Sequence, residues 1–242
     1  MKEKFQSIKN QEKLVSHLKT NIIKQITFTG SENVLNGLAD WVYEEEFGMV
    51  RAFDWNKDSD NLAYIVFDET NVPQYSMQIF GNNLYPFQYN FKYPKAGEIN
   101  SSLDLKIYNL ASEKTNSVDL SINTNDYYYI PRLKFSSFSN KLYIQSLNRL
   151  QNTLTLSTYE LGSGKIKKKF SEKDETYVDV QEKLFLLDDE NFFWLSDRSG
   201  FNHIYLVQND GKSLKQITSG NWDVAKLLGF NNTTIYYSSS ED

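Results

Sequence analysis

The sequence predicts an all-β protein built from repeated, blade-sized units. Tyr and Phe number 16 each while Pro numbers only 4, and this aromatic richness favours strands over helices. Leu103, Leu105 and Ile107 alternate with polar residues, as do Leu154 and Leu156. That period of two is typical of strands with one buried face.

A near repeat gives the size of the unit. Residues 24–27 and residues 215–218 both read Lys-Gln-Ile-Thr and are followed by Gly30 and Gly220, respectively. The two copies are 191 residues apart, so four equal units would each have about 48 residues. Blades of β-propellers have roughly 40 to 50 residues. The spacing therefore predicts a partial β-propeller of about four blades.

The elements follow in chain order. Residues 1–13 match no strand pattern and are predicted to form a tail or a helix, whereas residues 14–242 form the partial propeller, beginning with the closing strands of a blade. Polar turns are predicted at residues 56–61, 162–164, 188–191 and 209–211. The clearest strands are predicted at residues 192–195, 203–207 and 213–218, and a further blade begins within residues 229–237.

Composition limits the function classes. The hydrophobic content of 40% is enough for a core, and acids and bases are mixed along a chain of net charge −5. No basic face is therefore offered to nucleic acid or anionic lipid. Cysteine is absent, which excludes disulfides, thiolate metal sites and a cysteine nucleophile. No apolar run approaches the roughly 18 residues of a membrane span, and no metal or cofactor is expected.

The acidic run at residues 40–46 is the main candidate site. It reads Asp-Trp-Val-Tyr-Glu-Glu-Glu, and three consecutive carboxylates beside two large aromatic residues attract a cation. Neighbouring side chains of a strand point to opposite faces, so Glu45 and Glu46 can reach one target only if this segment forms a turn or a short helix. By composition alone, such a run is more often a solvated acidic face.

The wider context of this run resembles a known family. Residues 40–55 closely resemble the double-glutamate segment of bacterial dipeptidyl peptidase IV, in the N-terminal β-propeller region of the prolyl oligopeptidase-like serine peptidases. The resemblance extends from about Lys19 to the last residue. Further matching segments follow in the same order at residues 62–64, 67–69, 72–73, 93–98, 129–132, 147–152, 194–198 and 203–206.

The resemblance implies a role in proteolysis. In that family an eight-bladed propeller precedes an α/β-hydrolase domain, so this chain corresponds to about four blades truncated at both ends, with the hydrolase domain absent. The resemblance implies that Glu45 and Glu46 bind the free α-amino group of a peptide and gate its access. Glu44 is expected to be structural, bonded to nearby backbone. The implied partners are a peptide N-terminus and a serine hydrolase domain.

No catalytic residue is predicted in this chain. There is no G-x-S-x-G motif, and the two histidines are His17 and His203, the second in a predicted strand where a packed ring is expected. We therefore expect the chain alone to be inactive. A stand-alone protein-interaction propeller fragment and a truncated gene remain as alternatives. Residues 1–10 are not a secretory signal, whereas the family is usually exported or membrane-anchored, so the compartment stays open.

Other clusters suggest structure rather than chemistry. The basic residues at 165–170 follow a Gly-Ser-Gly turn and are expected to protect a strand edge. Asp188, Asp189 and Glu190 lack the spacing of a calcium loop and are expected to form a turn. The four tryptophans are expected at strands or their ends, as core residues; they are Trp41, Trp55, Trp194 and Trp222.

Overall fold

The structure is a computed structural model that describes residues 4–9, 11–17, 20, 22–120, 128–209 and 211–241, without the side chains of residues 4–9 and 17. The chain divides into two compact units, Met1–Pro131 and Arg132–Asp242. The division falls within one strand, Tyr129–Phe135.

The first unit contains ten strands and a helix among its described residues. The strands are β1 (Lys4–Lys9), β2 (Glu12–His17), β3 (Ile22–Gln25), β4 (Val34–Asn36), β5 (Phe53–Trp55), β6 (Asn61–Asp68), β7 (Gln74–Ile79), β8 (Phe87–Lys92), β9 (Ser102–Asn109) and β10 (Lys114–Val118). The helix α1 (Trp41–Phe47) lies between β4 and β5. No helix in the described ranges is long and apolar enough to cross a membrane.

Three antiparallel sheets form this unit. They are β1-β2-β3, then β10-β9-β6-β4 with β5 also paired to β6, and the separate hairpin β7-β8. Strand β6 is the centre of the second sheet because its apolar run from Leu62 to Phe67 is buried on both faces. Six buried residues form the core between β2 and the second sheet: Val15, Ile26, Leu62, Tyr64, Val66 and Tyr108.

The second unit continues the same construction. Its strands are β11 (Tyr129–Phe135), β12 (Lys141–Leu147), β13 (Thr153–Glu160), β14 (Ile166–Lys173), β15 (Phe185–Leu186), β16 (Phe192–Ser196), β17 (His203–Gln208), β18 (Ser213–Gln216), β19 (Val224–Phe230) and β20 (Ile235–Ser239). They form the sheets β11-β12-β13-β14 and β15-β16-β17-β18 and the pair β19-β20. The four-stranded antiparallel sheet in chain order is the blade unit of a propeller.

The predicted all-β class is confirmed, and so is much of the strand pattern. Leu103, Leu105 and Ile107 are buried in β9, and Leu154 and Leu156 are buried in β13. The strands predicted from residue 192 onwards correspond to β16, β17 and β18. The further blade expected to begin within residues 229–237 corresponds to the pair β19-β20, which begins earlier, at Val224. Asp210 of the predicted 209–211 turn lies outside the described residues.

Two expectations were wrong. Residues 1–13 were predicted to be a tail or a helix, but Lys4–Lys9 form β1, paired along its whole length with β2. Pairing with a neighbouring strand overrides the weak local preference of this polar segment. The repeated blades were also expected to be equal in length, but the segment that supplies the strands of the second sheet runs from Val34 to Val118 and contains α1 and the separate hairpin β7-β8 as insertions. These insertions break the equal spacing that four identical units would have.

Candidate functional site

Helix α1 is short and is defined at both ends by its sequence. Asp40 is the N-cap, and its Oδ1 accepts a hydrogen bond of 2.9 Å from the Tyr43 backbone N–H. Gly48 ends the helix with φ of 58°, a left-handed conformation that glycine adopts without steric cost. The backbone N–H groups of Gly48 and Met49 both donate to the Tyr43 carbonyl, the second at 2.9 Å, which satisfies this carbonyl at the end of the helix.

The inner face of α1 is fixed by Tyr43. Its side chain is buried, and its hydroxyl accepts a hydrogen bond of 2.9 Å from the Ile130 backbone N–H. Its ring packs edge to face against Phe47 and Phe67. Burial raises the pKa of the Tyr43 phenol well above its usual range, so the ring stays neutral. Ser101 donates to the second oxygen of Asp40, and the helix is thus held to the sheet at its start and along one face.

The outer face of α1 carries the three glutamates. Glu44, Glu45 and Glu46 are all exposed, whereas Tyr43 and Phe47 are buried. Successive helical residues are about 100° apart, so Glu45 lies opposite the buried face, with Glu44 on one flank and Glu46 on the other. The prediction that Glu45 and Glu46 leave the strand pattern and lie on an open side is confirmed.

The three carboxylates are not engaged by their neighbours. Among the residues that the structure describes, none forms a hydrogen bond or ion pair with the side chains of Glu44, Glu45 or Glu46. The expected backbone bond to Glu44 is therefore not present in the described part of the chain. Glu44 instead borders a cavity of about 680 Å³ that Glu45 and Glu46 do not reach.

That cavity contains a group that the sequence analysis did not single out. Glu69, directly after β6, lines it and is 8% exposed. Burial, together with the nearby charge of Asp40, raises the pKa of Glu69 to about 7, although Lys92 acts in the opposite direction. Burial also raises the pKa of Asp40. The one available signal was a glutamate that follows a continuous apolar run, and that signal does not indicate burial.

The residues that were expected to have structural roles are packed or hydrogen-bonded within the fold. His203 is 1% exposed; its Nε2 lies 3.1 Å from the Gly220 carbonyl and its ring packs edge to face on Trp222, which confirms a packed ring. The side chain of His17 lies outside the described residues. Asp188 accepts from the backbone N–H groups of Glu190 and Asn191 in a turn. No group of His, Cys, Asp and Glu in the described ranges is arranged to hold a metal ion.

The tryptophans and the basic strand differ in part from expectation. Trp194 is fully buried in β16, as predicted, but Trp41 begins α1 rather than a strand and is half-buried. Lys167 and Lys168 are exposed on β14, the outer strand of its sheet. Lys169 is buried and forms an ion pair of 2.7 Å with Glu190, so it does not protect the strand edge.

The sheets and the capped acidic helix define the class of this chain as a β-propeller region in which one unit carries an inserted helix. The family description "Dipeptidyl peptidase IV (DPP IV) N-terminal region" matches residues 8–242, and the chain belongs to this family. The match begins before Lys19, where the resemblance was expected to start, and includes part of the segment 1–13.

Similar proteins support the same assignment. The crystal structure of Porphyromonas gingivalis dipeptidyl peptidase 4 superposes with a TM-score of 0.90 at 38% identity, covering 98% of this chain and 34% of that chain. Inactive dipeptidyl peptidase 10 of Rattus norvegicus is 33% identical over 235 residues, which is 90% of this chain and 29% of the relative. Dipeptidyl peptidase 4 of Arthroderma otae is 31% identical, over 90% of this chain and 30% of the relative. The chain therefore spans about a third of the length of these relatives.

Proposed function

We propose that Glu45 and Glu46 bind the free α-amino group of a peptide, as part of a dipeptidyl peptidase IV-like serine exopeptidase. One observation carries the proposal: α1 holds both carboxylates on its exposed side, unengaged by the described residues, in a chain of the dipeptidyl peptidase IV N-terminal family. A serine hydrolase domain in the same protein supplies the nucleophile. The glutamates then set how far the end of the peptide lies from the nucleophile.

The ion pairs between a peptide amine and Glu45 and Glu46 are stronger if another domain excludes water from the site. An ammonium about 4 Å from a carboxylate gains about 4 kcal/mol at an effective dielectric of 20, but an exposed pair in water contributes only about 0–1 kcal/mol. Glu45 and Glu46 are exposed in this chain, so we expect weak binding of a peptide amine by the chain alone. Exclusion of water by a hydrolase domain strengthens both ion pairs.

The test is made in a full-length dipeptidyl peptidase that carries this region. Glu45→Gln and Glu46→Gln each remove one charge while keeping size and shape, and we expect kcat/KM for release of dipeptides from free-amino peptides to fall by about 100-fold. The loss reflects both the missing ion pair and the misplaced scissile bond. Glu44→Gln is the matched control on the same helix, and we expect a much smaller effect.

Thermal melting separates function from folding in this test. All three glutamates are exposed, so the melting temperatures of the variants should equal that of the wild type. If kcat/KM and melting are both unchanged in Glu45→Gln and Glu46→Gln, the run is a solvated acidic face and the proposal is withdrawn.

A second experiment addresses catalysis by the chain alone. We expect the purified 242-residue chain to release no dipeptide from Xaa-Pro reporter substrates, because its sequence has no G-x-S-x-G motif and the His203 ring is engaged in packing. Turnover that persists through successive purification steps would contradict the assignment of catalysis to another domain.

A second function is a protein-interaction region without a peptidase role. It is favoured by the similarity to the Rattus norvegicus relative, whose name describes it as inactive and which matches over 90% of this chain. The nucleotide sequence downstream separates the two: a reading frame that encodes a Ser-Asp-His hydrolase domain supports the peptidase, and its absence supports the interaction region.

A further inference from the structure

The cavity beside α1 has walls of two kinds. On one side lie Asp40, Trp41 and Glu44 at the start of the helix, and on the other lie residues of the hairpin β7-β8, which include Met77 and Phe91. Its volume is about 680 Å³, within the range of small-molecule sites in proteins. Leu35 and Ile79 extend its apolar lining. The cavity is thus a cleft lined by both apolar residues and carboxylates.

Glu69 is a largely buried acid of this cleft whose carboxylate has no partner among the described residues. Its backbone is satisfied, since its N–H donates to the Asn33 carbonyl at 2.7 Å and its carbonyl accepts from Val72 at 2.9 Å. The residue as a whole is 8% exposed, and its carboxylate oxygens are not among the fully buried unbonded atoms of the described residues, so they keep access to the cleft. No hydrogen bond or ion pair from a described residue reaches its carboxylate. A carboxylate that is largely removed from water and has no partner is costly, and a cation in the cleft would lower that cost.

The neighbouring cation does not supply that partner. The Lys92 ammonium donates to the Val72 carbonyl at 2.9 Å and lies 3.5 Å from the Thr70 carbonyl. It affects Glu69 only as a nearby charge. Four acids line the cleft against this one ammonium: Glu32, Asp40, Glu44 and Glu69. Asp40 is already bonded to Tyr43 and Ser101. Glu32 and Glu44 are exposed to solvent, so Glu69 is the least exposed of the acids that have no partner.

We propose that this cleft binds an alkylammonium group, specifically the side chain of a lysine, with Glu69 as the anionic partner and the apolar wall around its methylene stem. A metal ion is disfavoured because no group of three ligating residues is arranged for one in the described ranges. An anion is opposed by the acidic wall. The aromatic rings of Trp41 and Tyr89 also border the cleft, and aromatic faces attract ammonium groups.

This site is distinct from the proposed α-amino clamp. Glu45 and Glu46 do not border the cleft, and a lysine side chain can be offered on a molecule that has no free α-amino group. The two proposals can therefore fail independently of each other.

Binding should be linked to a proton. The pKa of Glu69 is about 7, with Asp40 and Lys92 as the charges that affect it and with Glu32 and Glu44 also facing the cleft. A cation selects the ionised carboxylate, so its binding releases a proton near neutral pH. Since only the ionised fraction is competent, we expect about tenfold tighter binding at pH 8 than at pH 6.

The experiment is titration calorimetry on the 242-residue chain with Nα-acetyl-lysine N-methylamide. Nα-acetyl-norleucine N-methylamide is the uncharged control, because its side chain has the same carbon chain as lysine but no ammonium group. We expect saturable binding of the lysine probe only, with a heat that differs between phosphate and ACES buffers at pH 6.5 because a proton is released. Equal binding of both probes, no saturable binding of the lysine probe, or identical heats in the two buffers would overturn the proposal.

Two variants locate the site. Glu69→Gln should weaken the lysine probe by at least about tenfold and abolish the buffer dependence. Met77→Trp, at a partly exposed position of β7, should block the cleft without changing its charge. Asp58→Asn removes one exposed carboxylate that does not line the cleft and should bind as wild type. Wild-type affinity in both Glu69→Gln and Met77→Trp would place the probe elsewhere and refute the proposal.

Discussion

The two copies of the Lys-Gln-Ile-Thr repeat share one hydrogen-bond frame. Thr27 Oγ1 accepts from the Lys13 N–H at 2.8 Å, and Thr218 Oγ1 accepts from the Ile204 N–H at 3.0 Å. The residue before each threonine donates its N–H to the same backbone, at 3.0 Å to Lys13 O and 2.8 Å to Ile204 O. The repeat in the sequence therefore marks the same position at the end of a sheet in both copies.

The two copies close this frame with different chemistry. In the first, the Glu12 carboxylate accepts from the Thr27 hydroxyl and from the Gly30 N–H, the latter at 2.6 Å. In the second, His203 Nε2 lies 3.1 Å from the Gly220 carbonyl and Nδ1 lies 3.2 Å from Thr218 Oγ1. Because a carbonyl only accepts, Nε2 is the protonated nitrogen. A carboxylate and an imidazole thus bridge the same two residues of the frame.

The next position differs more sharply. Ile204 and Lys13 are both fully buried, at 0% exposure. The Lys13 ammonium has no hydrogen-bond partner among the described residues and lies 3.3 Å from the centre of the Phe53 ring. Burial, together with the charge of Arg51, lowers the pKa of Lys13 to about 6. The same backbone hydrogen bonds therefore form around Lys13, although the burial of its ammonium lowers the stability of the folded chain.

The largest predicted effect is at this position. Lys13 binds a proton more weakly when folded than when unfolded, so stability rises with pH from about 6 to about 10.5 and falls as pH decreases. Lys13→Ile, which copies the second repeat, should stabilise the chain at all pH values in this window. The gain at pH 6 should exceed the gain at pH 9 by about 4 kcal/mol.

Urea unfolding of both proteins at pH 6 and pH 9 measures this difference. An equal gain at the two pH values would show that Lys13 does not titrate in this window. Any gain in stability of Lys13→Ile would then come from the packing of the side chain and not from the removal of its charge.

An intermediate effect is expected at His203. His203→Ala removes a buried ring from its packing on Trp222 and leaves the Gly220 carbonyl without its donor. The expected loss of unfolding free energy is about 3 kcal/mol, measured by urea unfolding. A loss below about 1 kcal/mol would mean that the frame does not need this bridge.

The smallest effect tests whether the frame is truly shared. Thr27→Val and Thr218→Val each remove one hydroxyl that accepts from a backbone N–H, and each should cost about 1–2 kcal/mol. The Thr27 hydroxyl also donates to the Glu12 carboxylate, whereas Thr218 Oγ1 lies beside His203 Nδ1, so the loss at Thr27 should be the larger by roughly 1 kcal/mol. A loss below roughly 0.5 kcal/mol at either threonine in matched thermal melts would break the equivalence of the two copies.

Local patterns in the sequence were sufficient for most of the fold. The alternation at Leu103, Leu105 and Ile107 predicted β9 because strand side chains alternate between faces whatever the neighbours are. The acidic run predicted a departure from the strand at α1, and the resemblance pointed to the family that the match over residues 8–242 confirms. The binding role of Glu45 and Glu46 stays a prediction.

What the sequence alone determined is the repeat, the strand period, the turns and the acidic segment, because each depends on residues close together in the chain. Only the tertiary structure decided which charges are buried. Lys168 and Lys169 are adjacent and identical, yet Lys168 is exposed and Lys169 is buried. The register of β14 against β13 shifts at this point, where Ser157 pairs with Lys168 and Leu156 with Phe170. A bulge adds one unpaired residue to a strand and redirects its side chain.

Glu69 and Lys13 follow the same rule. Each is an ordinary charged residue in the sequence, and each becomes buried because other elements pack over it. Helix α1 and the hairpin β7-β8 lie around Glu69, and the ring of Phe53 lies over Lys13. Burial is set by these tertiary contacts, and the protonation of both groups follows from burial.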